Sequence, residues 1–323
     1  MITFRFHLVS LTAVFLALAA GITIGAGVVD RKTVDFLERR VADVERNRDA
    51  TNKRNDALEA DLRRWQRYGE ELGDRSVEGD LAGARVMFLA VDGVNRDAVD
   101  ALRASVLAAG ATYEGALWFT QKWQLADTGD ARALSELAGA PGAATTTTTA
   151  PTTTAPGGVK PDDLRRDVLA RLGADWAAGA GTTFVTGLRD AGFVTFDPGP
   201  EPAATLAEVP REGSLMVVLS SQVAAVPSDQ LAVPLVAALA GAGLPTMAAQ
   251  PVPPPDLKQG VPVFVTLVRQ EPALSAKTSS VDDVDDYRGR TAAVLALEQM
   301  RRGRLGHYGY GPRAQSLLPE AGP

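Results

Sequence analysis

The chain of 323 residues contains no cysteine and only two histidines, His7 and His307. The first absence excludes disulfides, thiolate metal centres and cysteine nucleophiles. The second leaves a hydrolytic triad one eligible base, His307. Ser220 or Ser221, following an expected strand, would be its nucleophile, and neither stands in a nucleophile-elbow sequence. No glycine-rich phosphate loop follows any expected strand. Phosphate binding draws on clustered Lys and Arg, and the net charge of −6 argues against nucleic acid as the main partner. What remains is 46% apolar and 22% charged, the composition of a folded chain rather than a disordered one.

One long apolar run is present. After a short tail, residues 1–7, the segment 8–29 carries no charged side chain. As a helix rising ~1.5 Å per residue it spans ~30 Å of hydrocarbon. Its polar members, Ser10, Thr12 and Thr23, can bond back to helix carbonyls. A cleaved signal peptide ending near Ala17-Leu18-Ala19 is the alternative, but the apolar run continues well beyond that point. An uncleaved anchor is therefore expected. Ala17, Gly21 and Gly25 recur every four residues on one face, a pattern that lets two membrane helices approach closely.

Residues 33–75 keep a heptad register. With Val34 at position a, Val41, Asn55 and Leu62 also fall at a, while Leu37, Val44, Leu58, Trp65 and Leu72 fall at d. Asn55 at a favours two parallel strands in a fixed register. Arg48 and Thr51 interrupt the seam, and Gly69 and Gly73 mark its expected fraying end. An amphipathic helix lying on its own domain is the alternative. With a membrane helix immediately before it, the stripe points to a parallel homodimer.

Beyond Gly79 the periodicity changes. Arg85–Val91, Thr112–Phe119, Phe193–Phe196, Leu215–Ser220 and Val263–Val268 read as strands. Helices are expected at Arg96–Ala109, from Pro161, at Thr182–Ala191, Gln230–Ala242 and Arg290–Arg302. The alternation predicts one α/β domain over residues 80–312, a doubly wound and mostly parallel sheet, followed by a tail, 313–323. The Thr/Pro tract 143–158 has nothing to bury and is expected to be a disordered insertion, either a spacer or an O-glycosylated stalk.

Candidate chemistry is sparse. Asp92, in the Asp92-Gly93 turn after the first strand, sits where open α/β sheets bind ligands, but a plain strand-to-helix turn is the expected reading. Asp282, Asp283, Asp285 and Asp286 form the densest acidic cluster and could hold a hard cation. They lack the glycine and terminal glutamate of an EF-hand loop, so solvated carboxylates ahead of the last helix are expected instead. Met300 and His307 are the one soft-ligand pair near in sequence, and they are the candidate metal residues.

The opening Phe6-His7-Leu8-Val9-Ser10-Leu11-Thr12, with Gly21 and Gly25, resembles that of the actinobacterial copper transporter family. So do Val281-Asp282-Asp283-Val284-Asp285, the helix around Ala292–Leu297, and Gly306-His307-Tyr308-Gly309. The order of parts matches over nearly the whole chain. The resemblance implies copper homeostasis or copper transport across the envelope. Corynebacterial relatives also imply a role in cell separation through peptidoglycan hydrolases. One membrane helix cannot enclose a channel by itself, so a copper path requires further subunits or another protein.

Arg31, Lys32, Arg39 and Arg40 outnumber Arg5 and favour a cytoplasmic domain. The resemblance and the Thr/Pro tract favour an extracytoplasmic one, which is the orientation expected here. The reading is a non-enzymatic homodimer in the cytoplasmic membrane, with copper implied by resemblance, an envelope protein as partner and no nucleic acid. The enzymatic alternative is a metal-dependent centre built from Asp92 and the cluster 282–286.

Overall fold

The computed structural model describes residues 4–27, 31–139, 160–179, 182–199, 205–251 and 263–320. The Thr/Pro tract 143–158 lies outside them, as does the side chain of Val34. The chain divides into two compact units, 1–66 and 67–323.

The first unit is helical. Helix α1 (Phe4–Gly27) contains a stretch, Phe6–Gly25, long and apolar enough to cross a membrane. Thr12 donates to the Leu8 carbonyl at 2.7 Å and Thr23 to that of Ala19 at 2.5 Å, so both hydroxyls are satisfied within the helix. Helix α2 (Arg31–Ser76) begins in this unit. Its stripe residues Leu37, Val41, Val44, Leu58 and Leu62 are each more than half exposed in the single chain. Ion pairs such as Arg46–Asp43 and Arg63–Glu59 lie on the exposed surface of α2.

The second unit contains the end of α2 and the α/β domain. Its elements are β1 (Arg85–Val91), α3 (Arg96–Ala108), β2 (Thr112–Phe119), α4 (Thr128–Gly139), α5 (Pro161–Ala177) and α6 (Thr182–Asp190). There follow β3 (Val194–Asp197), β4 (Leu215–Leu219), α7 (Ala232–Gly241), β5 (Thr246–Ala249), α8 (Phe264–Gln270) and α9 (Pro272–Ser275). The chain closes with β6 (Ser279–Val281), α10 (Tyr287–Arg301) and β7 (His307–Tyr308). Among the described residues, seven strands form one sheet in the order β3-β2-β1-β4-β5-β6-β7. All neighbours are parallel except β2 and β3. The winding reverses between β1 and β4, as a doubly wound sheet requires.

Strand alternation divides the core. Met87, Leu89 and Val91 of β1 face a layer completed by α5, α6, α7 and α8. Val86, Phe88 and Ala90 face the opposite layer, under α3 and α10. Because both faces are covered, the central strands read as unbroken apolar runs.

Two expectations about the elements need correction. Val263–Val268 is not a strand: Phe264 begins α8, and Phe264, Val265, Val268 and Arg269 are its buried residues, a helical spacing. A six-residue apolar run carries no periodicity that separates the two states. The sheet positions beyond β4 fall instead to Thr246–Ala249 and Ser279–Val281, short segments of small residues. The second correction concerns Gly69 and Gly73. The helix does not fray there but continues to Ser76. A Cβ on Gly69 would collide with the Tyr287 ring, and one on Gly73 would lie 2.7 Å from Thr291 Oγ1. The two glycines let the end of α2 dock against α10, and Val77 and Leu81 then enter the core.

Candidate functional site

The two C-terminal motifs meet at the β6–β7 side of the sheet. Helix α8 delivers Arg269, β6 delivers Ser280 and then Asp282, and β7 delivers His307 and Tyr308. Arg269 is only 3% exposed. Its Nη1 donates to Asp282 Oδ2 at 2.8 Å, its Nε to Ser280 Oγ at 2.8 Å and its Nη2 to the Tyr308 carbonyl at 2.6 Å. Burial pulls the Arg269 pKa below the usual guanidinium range, and the hydrogen bond and charge of Asp282 oppose that shift. A buried charge persists when it is paired and its donors are used, as here.

Asp282 is buried rather than solvated, which corrects the expectation for this member of the cluster. Tyr310 N–H donates to Oδ1 at 2.7 Å and Gly311 N–H to Oδ2 at 3.0 Å. Gly309 has φ +120°, and a Cβ there would strike the Asp282 carboxylate. The turn 309–311 can therefore close on the carboxylate only with glycine at that position. Both oxygens of Asp282 are committed to the chain's own donors.

The other acidic residues diverge. Asp283 has φ +59°, and burial, reinforced by the neighbouring Asp282, pushes its carboxyl up to about 6. Asp286 caps α10, accepting from Arg288 N–H at 2.8 Å. Burial alone would raise Asp286, but the side-chain and backbone hydrogen bonds of Arg288 outweigh it and hold the carboxyl below its usual range. Asp285 is exposed.

His307 is 6% exposed, with Nδ1 2.8 Å from Ser280 Oγ and Nε2 2.8 Å from Ser275 Oγ. Burial first, then the charge of Arg269, lowers its pKa, so the ring is neutral at pH 7. Met300 lies on α10 within the apolar layer shared with α3. Among the described residues no group of three or more His, Asp or Glu is placed to hold a metal ion.

Asp92 follows β1 and pairs loosely with Arg96, 3.9 Å away, whose guanidinium stacks on Trp118 at 4.1 Å. The switch point beside it is bridged by the loop after β4: Ala225 N–H donates to the Asp92 carbonyl at 2.6 Å. Two strands, β4 and β5, separate β1 from β6. At ~4.8 Å per strand this puts Asp92 on the order of 14 Å from Asp282, so the fold does not bring the two together. Ser220 hydrogen-bonds Ser228 at 2.9 Å, and two strands lie between β4 and β7. Arg269 carries no mark of its role in the sequence beyond ending an apolar run, a signal legible only once that run is known to be a helix.

A family model described as copper transport outer membrane protein, MctB, matches residues 1–319. Proteins named copper transporter MctB from Mycobacterium bovis and Mycobacterium tuberculosis are 28% identical over 325 residues, covering 98% of this chain and 99% of theirs. The protein of that name from Mycobacterium leprae is 27% identical over 327 residues, with the same coverage.

Proposed function

The chain belongs to the MctB copper transport family, and on that footing we propose that it serves copper homeostasis as a non-enzymatic, membrane-anchored parallel dimer. The observation that carries the copper role is the family match over residues 1–319. Copper is the cargo of the envelope system in which the chain takes part. The folded domain offers few soft ligands of its own, since Met87, Met216 and Met247 are strand residues of the core and cysteine is absent. A structural role in an assembly that moves copper suits this inventory better than a copper-binding centre.

Helix α1 supplies the anchor, in the cytoplasmic membrane, with the α/β domain on the extracytoplasmic side. The exposed stripe of α2 supports pairing, because an isolated helix leaves Leu37, Val41, Val44, Leu58 and Leu62 in water, whereas a second copy would bury them as a and d positions. The small-residue face Ala17, Gly21 and Gly25 lies on the helix before it and suits the same parallel arrangement.

The test is cell-associated copper in a strain lacking the gene, grown with copper and measured by mass spectrometry. The deletion is expected to raise copper several-fold. The full chain should restore the wild-type level, and a chain without residues 1–30 should not. Unchanged copper in the deletion strain would refute the role.

A further inference from the structure

Helix α7 (AVPLVAALAG) carries no polar side chain on any face. Its inward residues, among them Leu235, Val236 and Leu239, are buried in the core. Its outward residues Val233, Pro234, Ala237 and Ala238 form the floor of an open groove of about 490 Å³. A helix that is apolar all round belongs in a core or against another surface, because water finds no polar side chain on its outer face. Ala170 of α5 forms one wall and Leu274 of α9 the other. The α5 wall stands close because of Gly173, where a Cβ would lie 2.9 Å from the Ala238 carbonyl oxygen.

The rim is charged and unbalanced. Asp229 and Glu271 are exposed there, and neither has an ion pair among the described residues. The rim cation, Arg166, is already paired with Asp163 at 2.9 Å. An apolar floor under carboxylates that have no ion pair among the described residues selects its occupant. An anionic lipid surface would meet like charge. A symmetric contact with a second copy would bring the same acidic rim from both sides and add like charge.

We infer that this groove docks a short apolar segment of another polypeptide, flanked by Lys or Arg. Its apolar side chains, at helical spacing, cover α7 while its basic flanks neutralise Asp229 and Glu271. The inference stands apart from the copper reading and from the pairing of α2.

The probe is a short synthetic peptide with Leu at helical spacing and Lys at both ends, set against the same peptide with Glu ends. Each is titrated by fluorescence anisotropy against the full chain in phosphatidylcholine nanodiscs. The Lys-flanked peptide is expected to bind at least ~10-fold more tightly, a difference of ~1.4 kcal/mol. Asp229→Asn with Glu271→Gln changes only exposed side chains and should erase that preference. Ala237→Arg should reduce binding of both peptides by ~10-fold or more, with the thermal midpoint checked for each variant. Equal affinity for the two peptides, no binding of either, or binding indifferent to Ala237→Arg would overturn the proposal. So would concentration-dependent pairing of the chain itself that Ala237→Arg abolishes, which would assign the groove to a second copy.

Discussion

At Asp283 the backbone is left-handed, φ +59°, and burial together with Asp282 raises the carboxyl to about 6. A carboxyl whose pKa is higher in the folded chain than its usual 3.8 favours folding in its protonated form. Between those two values the folded chain holds a proton that the unfolded chain releases, so this contribution to stability falls as pH rises through the window. At pH 7 the ionised group is a net cost. Asn is neutral at every pH and tolerates a left-handed backbone. Asp283→Asn is therefore expected to stabilise the domain at pH 7 by ~1 kcal/mol, a value already discounted for solvent screening. The gain should vanish below about pH 4. Urea unfolding of variant and wild type at both pH values checks it, and an equal difference at both would contradict it. The wild-type curve alone is not enough, because His307 works the other way. Its lowered pKa gives stability that is present above the usual 6.5 and lost as pH falls.

Among elements, β7 is held largely by contacts from outside its own two residues. Two residues, His307 and Tyr308, pair with β6, and the turn that follows is tied to Asp282 and Arg269. Asp282→Asn keeps the volume but leaves the buried Arg269 charge uncompensated, a loss of ~3 kcal/mol. If that loss falls on the tail alone, amides of residues 308–311 should exchange roughly a hundredfold faster while those of β1 and β4 stay protected. Uniform acceleration across the sheet would show instead that the tail is part of one cooperative unit.

Legibility in the sequence follows the same division. β1 and β4 announce themselves because a strand buried on both faces is a continuous apolar run between turn residues. α3 is legible from Asn95, which accepts from Asp97 N–H at 2.9 Å as an N-cap should. β5, β6 and β7 are not, since Thr246–Ala249, Ser279–Val281 and His307–Tyr308 are short and become strands only by pairing with neighbours. The acidic cluster was visible as charge. Nothing local marks Asp282 as the buried member, because its partners Arg269, Tyr310 and Gly311 lie 13, 28 and 29 residues away.

At the scale of the whole molecule, a stripe of exposed leucines and valines on α2 stands beside membership of a family tied by name to copper transport. Their connection is tested by replacing Leu58 and Leu62 together with Asp. Both side chains are exposed in the single chain, so the α/β domain should fold as before. Like charges at adjacent d and a positions should prevent pairing. The decisive measurement is cell-associated copper in the deletion strain carrying this double variant, with its oligomeric state read by chemical cross-linking in the same cells. Loss of the cross-linked dimer together with copper as high as in the deletion strain is the expected result. A monomeric variant that restores copper to the wild-type level would contradict the dimeric reading.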